Sequence, residues 1–220
     1  MNNTIKSSLL ILTLAASASA FADNQRVYEV TVTNLTKGIA FTPFLGATHK
    51  KGMQLFRLGH AASDNVANVA EGGDISGLKD ELDNTYSVAS TAASAGLLTH
   101  GQSVTFTIDG QARFNHLSLI SMLLPTNDTM VSLRGKKLPK QKGQVVHYRM
   151  HAYDAGTEVN SELCSDIPGP QCGGNPFSVP AASDEGYVYP SPGIHGEADL
   201  SRFDYGWQAA VAKVKIKRIN

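Results

Sequence analysis

Cysteine is nearly missing from this chain, with two residues in 220, and tryptophan occurs once. Net charge is missing as well, since 19 Lys and Arg offset 19 Asp and Glu. A nucleic-acid binder presents a clustered basic face. The densest basic runs here are Arg134 to Lys142, which reads as a solvated loop, and Lys213 to Arg218, which alternates with apolar residues like one face of a strand. No nucleic-acid partner is therefore expected. His-Glu-x-x-His, Gly-x-Ser-x-Gly and phosphate-loop patterns are all absent. A Ser-x-x-Lys match, Ser76-Gly77-Leu78-Lys79, lacks its partner motifs and reads as a solvated helix. These absences argue against an enzyme. There is no internal repeat and no low-complexity tract.

Long hydrophobic runs are also lacking, apart from one near the start. Lys6 precedes Leu9-Leu10-Ile11-Leu12-Thr13-Leu14-Ala15-Ala16, and the run ends in small residues. It is shorter than the roughly 20 residues a spanning helix needs, so residues 1–22 read as a signal peptide. Ala18-Ser19-Ala20 and Ala20-Phe21-Ala22 allow cleavage after either 20 or 22, and we take Asp23 as the mature start. Removing the leader takes away one cation, Lys6, so 18 basic residues face 19 acidic ones and the net charge is near −1. Residues 23–220 fit one all-β domain, which can run to about 250 residues.

Export places the chain in a secreted or periplasmic, oxidising setting, where Cys164 and Cys172 are expected to form a disulfide. Closing so short a loop stabilises by roughly 2 to 3 kcal/mol, enough to pin a loop but not to replace a core. The rival readings are a metal pair or a redox couple. A zinc site wants four ligands, and a redox pair usually has the Cys-x-x-Cys spacing.

What is present is period two. Tyr28, Val30 and Val32 alternate with Glu29, Thr31 and Thr33; Val104, Phe106 and Ile108 alternate with Thr105 and Thr107. His116 to Leu124 is almost continuously apolar, as in a central strand, and Gln144 to Ala152 follows after a loop spanning Thr129 to Gly143. In the last strand Ala212, Val214 and Ile216 point inward and Lys213, Lys215 and Lys217 outward, an alternation that also protects an edge strand. Ser63 to Tyr86 predicts one or two short helices broken by Gly72-Gly73 and Gly77, with Asp74 or Ser76 capping the second. Asp154 to Phe203, rich in Gly, Pro, Asp and Ser, predicts a long ordered loop region, where function commonly sits.

Ser121-Met122-Leu123-Leu124-Pro125-Thr126-Asn127-Asp128 resembles a hallmark of spondin domains, and Tyr153-Asp154-Ala155-Gly156-Thr157-Glu158 matches a second. Tyr28-Glu29-Val30-Thr31-Val32-Thr33-Asn34 and Ala210-Val211-Ala212-Lys213-Val214 extend the likeness over most of the mature chain. The leader and Ile167-Pro168-Gly169-Pro170-Gln171-Cys172-Gly173-Gly174 resemble the bacterial branch. The resemblance implies an antiparallel β-sandwich akin to calcium-binding membrane-recognition domains, with a metal held by acidic loops at one end, in matrix and adhesion proteins.

The residues themselves fit a calcium site. Asp128 and Asp154 each end a strand, and Glu158 follows Asp154 by four with Gly156 between, so a tight turn brings two carboxylates and a carbonyl to one ion. That Asp128 lies near Asp154 is carried by the resemblance. The family often has aspartate where Glu158 stands, and the extra methylene alters reach and affinity. Glu162, Asn127 and His195 are candidate further ligands or supports. The competing structural reading is that Asp128 and Asp154 cap turns by accepting backbone amides. His151 and His195 are the histidines nearest these loops; as ligands they would favour zinc or copper, and as neighbours they would be hydrogen-bonders. Tyr187, Tyr189, Phe203, Tyr205 and Trp207 read as core and loop packing, with Trp207 buried, against the alternative of a recognition surface. The expected function is calcium-dependent binding of a matrix, cell-envelope or surface component without catalysis. A metal-dependent hydrolase using the same carboxylates and a metal-free envelope protein are the alternatives.

Overall fold

The computed structural model describes residues 25–177 and 183–220, and the leader assigned to residues 1–22 lies outside them. The elements in chain order are β1 (Gln25–Asn34), β2 (Ala40–Phe41), β3 (Leu45–His49), α1 (Asp64–Gly72), α2 (Ser76–Asp83), β4 (Val88–Ala93), β5 (Ser103–Gln111), β6 (His116–Leu124), β7 (Thr129–Lys137), β8 (Val145–Asp154), β9 (Tyr189–Pro190), α3 (Arg202–Tyr205) and β10 (Ala212–Arg218). The strands run β4-β3-β6-β7-β8-β10-β1-β5, with β2 on β6 and β9 on β8. All pairings are antiparallel, and the class is all-β, as the alternating segments predict.

β8 turns one layer into the other. Val145 to Met150 pair with Lys217 to Ala212 of β10, whereas His151 to Asp154 pair with Ser132 to Thr129 of β7. The two halves then face each other, and Thr48 Oγ1 of β3 donates to the Asp109 carbonyl of β5 at 2.8 Å. Between them lie Tyr28, Val30, Val32, Leu117, Leu119, Val131, Val214 and Ile216, all essentially inaccessible to water. Each such side chain contributes about 1.5 to 3 kcal/mol by its burial. On the other side of β3, β6 and β7, Val66, Val69 and Ala70 of α1 and Leu78 and Leu82 of α2 pack on Leu45, Ile120 and Met130. Ser63 caps α1 through its side chain and Gly73 ends it in the left-handed region.

Three expectations change. Thr129 to Lys137 is a strand, not part of a loop. Met130 is buried under the helices while Val131 and Leu133 enter the inner core, so both faces are covered and the period-two signal is lost. The basic residues after Leu133 further disguise it. β10 is interior, paired with β1 and β8, so its lysines decorate a face and protect no edge. The residue at the N-cap of α2 is Ile75; Asp74 Oδ1 instead accepts from the Ser76 amide at 2.9 Å and from the Ser76 hydroxyl.

Candidate metal centre

The β7–β8 hairpin gives the site its geometry. Thr129 is registered opposite Asp154, so Asp128, one residue earlier, faces Ala155, whose amide donates to the Asp128 carbonyl at 3.2 Å. Without β7 the two acidic residues would belong to remote strand ends; with it they share one end of the sandwich. Thr126 Oγ1 fixes the approach, donating to the Leu123 carbonyl at 2.6 Å and accepting from the Thr129 amide at 3.3 Å.

Asp128 and Asp154 are wholly buried and Glu158 is 3 % exposed. Asp128 Oδ2 accepts from the amides of Thr157 and Glu158 at 2.8 and 3.1 Å and from the Thr157 hydroxyl at 3.3 Å. Its other oxygen, Oδ1, is buried with no hydrogen-bond partner among the described residues. Asp154 Oδ1 accepts from the Gly156 amide at 2.8 Å, and Oδ2 accepts from Asn160 Nδ2 at 2.9 Å. Gly156 has φ +67°, and a Cβ there would meet the Tyr187 carbonyl oxygen at 2.3 Å, so the turn requires glycine.

Burial, reinforced by the Asp154 and Glu158 charges and opposed by two amides, pushes the Asp128 carboxyl up to about 8. Asp154 is raised too, by burial and then by Glu185, against the hydrogen bonds of Asn160, Gly156 and Tyr189. Glu71, 7 % exposed at the end of α1, is raised by burial and by Asp184, while a hydrogen bond with Thr157 lowers it. Glu71, Asn160 and Glu185 were not singled out in the sequence, and Tyr189 was read there with the late aromatics as packing, not as a neighbour of the carboxylates. The cue for Glu71 was its place beside Val69 and Ala70 on the buried side of a short helix.

The supporting candidates fall elsewhere. Both carboxylate oxygens of Glu162 are taken by the amides of His195, Gly196 and Glu197, with the last two at 2.8 and 3.1 Å. Asn127 Oδ1 accepts from the Glu162 amide at 3.2 Å and Nδ2 donates to Ser161 Oγ at 3.2 Å. His195 Nδ1 lies 3.8 Å from Glu162. These residues clamp the 161–162 turn to the 195–197 loop and do not join Asp128. His151 is exposed on the outer face of β8. Cys164 and Cys172 are disulfide-bonded, as expected, and pack with Ile167, Ile194 and Leu200. Trp207 is half-buried rather than buried, and Tyr187 and Phe203 are 46 % and 79 % exposed.

Among the described residues no three His, Cys, Asp or Glu side chains form a ready-made metal cage. The donor set nevertheless fits a hard cation: oxygen only, with Asp128 Oδ1 buried and lacking a hydrogen-bond partner among the described residues, and with carboxylates that repel it. Calcium takes backbone carbonyls and waters as readily as carboxylates, so Asp128, Asp154 and Glu158 would anchor the ion and the surrounding backbone would complete its shell.

The strands form an antiparallel all-β sandwich with a disulfide, and among the described residues no helix is long and apolar enough to cross a membrane. The family model described as Spondin_N matches residues 28–166, more than half of the chain, and the chain belongs to that family. No curated protein matches the chain.

Proposed function

We propose that this is an exported, calcium-binding, non-catalytic recognition domain in which the ion ties the Asp128 turn to the 154–158 loop. Family membership supports the extracellular, adhesion-type setting. The observation that carries the calcium reading is Asp128 Oδ1, buried without a hydrogen-bond partner among the described residues and repelled by the Asp154 and Glu158 carboxylates. Burial and the Asp154 and Glu158 charges disfavour ionised Asp128, and a cation at its carboxylate would compensate both. Burial of Asp128 and Asp154 favours a binding or organising ion over hydrolysis, since a hydrolytic metal keeps an open position for substrate. The partner is a matrix, cell-envelope or surface component reached through the loops the ion orders.

The test is calorimetry and thermal melting of the chain from Asp23 with calcium, with zinc as competitor and Asp154→Asn as control. A calcium-dependent rise in melting temperature that Asp154→Asn abolishes is expected. No response at millimolar calcium would overturn the reading.

A further inference from the structure

Away from the acidic end, on the outer face of β6, β7 and β8, lies a cavity of about 480 Å³ roofed by the loop from Lys51 to Phe56. Lys51, Arg134, Lys136 and Arg149 line it together with His116 and His151, and the lining includes no Asp or Glu. Among the described residues none of these four fixed cations has a carboxylate within ion-pair distance. Such a cluster is held together against its own repulsion and so favours an anion. Arg134 is held without a counter-charge: its guanidinium lies 5.1 Å from the Phe56 ring and 5.5 Å from the Tyr153 ring. A stacked guanidinium keeps its donor fork free, and that fork matches a tetrahedral oxyanion. The His116 Nδ1 atom is buried in the same region without a hydrogen-bond partner among the described residues.

His151 and Tyr153 also form one wall of an adjoining groove of about 610 Å³, which continues past Pro190 and Pro192 to Arg202 and Trp207. A half-buried indole beside polar groups suits the apolar face and hydroxyls of a sugar ring. Leu58 is the single side chain of either lining among the exposed large hydrophobics, which leaves no apolar wedge for insertion into a bilayer.

We propose that the Arg134 cavity binds the phosphate or sulfate group of an acidic saccharide, with the sugar lying in the groove toward Trp207. The near-zero net charge of the chain conceals this surface, because acidic residues elsewhere in the chain offset the cations that line the cavity. The site needs no metal and stands or falls independently of the calcium reading.

The test is calorimetry in low-salt buffer containing EDTA, with glucose 6-phosphate, glucose 6-sulfate, glucose, inorganic phosphate and phosphatidylglycerol vesicles as probes. Both sugar esters are expected to bind, more tightly than inorganic phosphate, and glucose not at all; added salt should weaken binding. Arg134→Gln and Arg149→Gln should each weaken the esters by about tenfold or more, the scale of one charge-assisted contact. Unchanged melting temperatures would confirm that both variants fold, and Arg149, being exposed, serves if Arg134→Gln does not. Absence of ester binding, inorganic phosphate as tight as the esters, binding confined to vesicles, or variants that bind like the parent would each overturn the proposal.

Discussion

Replacing Asp128 by Asn separates charge from shape. In the metal-free folded chain the Asp128 carboxyl holds its proton up to about pH 8, whereas an unfolded aspartate releases it near 3.8. Between those values the folded state binds more protons than the unfolded one, so stability falls as pH rises through the window. At about 1.4 kcal/mol per pH unit, the span of about three units from pH 4 to 7 sets a ceiling of roughly 4 kcal/mol on the cost at neutrality. Asn keeps the shape and the acceptor that Thr157 and Glu158 use, while removing the charge. Recovering even half of that ceiling, about 2 kcal/mol, raises the melting temperature by about 4 to 8 °C for a chain of this size. In EDTA, Asp128→Asn should therefore melt above the parent at pH 7.5 and match it near pH 4.5, while its calcium response disappears. The assay is far-UV circular dichroism melting of both chains from pH 4.5 to 8, with and without calcium. A metal-free parent no less stable at pH 8 than at pH 5, together with an Asp128→Asn chain that melts lower at pH 7.5, would refute the repulsion argument.

Two further substitutions distinguish the ion's anchors from their supports. Gly156→Ala drives a methyl group into the Tyr187 backbone at positive φ and should cost about 2 kcal/mol or more. It should also weaken calcium binding at least about tenfold by disturbing the Gly156 amide that holds Asp154; unchanged calorimetry would separate that turn from the site. Glu162→Gln breaks the carboxylate clamp on the 195–197 amides and should cost about 1 to 3 kcal/mol. Its calcium-induced melting shift should persist, and loss of that shift would place Glu162 among the ligands after all.

Strands with one covered face were legible in the sequence because burial on one side writes period two into the residues: Tyr28, Val30 and Val32, and again Ala212, Val214 and Ile216. The two short helices, the continuous β6 and the disulfide were legible for similarly local reasons. β7 was not, since α1 and α2 cover one face and the core covers the other, a fact that belongs to segments some sixty residues away.

The sequence by itself determined the class of fold and which residue types stand at the ends of β6 and β8, because alternation, turn chemistry and the spacing of Asp154, Gly156 and Glu158 are local. Only the tertiary structure decided which carboxylates meet. The β7–β8 hairpin sets Asp128 against Ala155, α1 adds Glu71 beside Thr157, and the 195–197 amides claim Glu162. It also decided that Lys51, Arg134, Lys136 and Arg149 line one cavity, since the strand order, not the composition, assigns each side chain to a face.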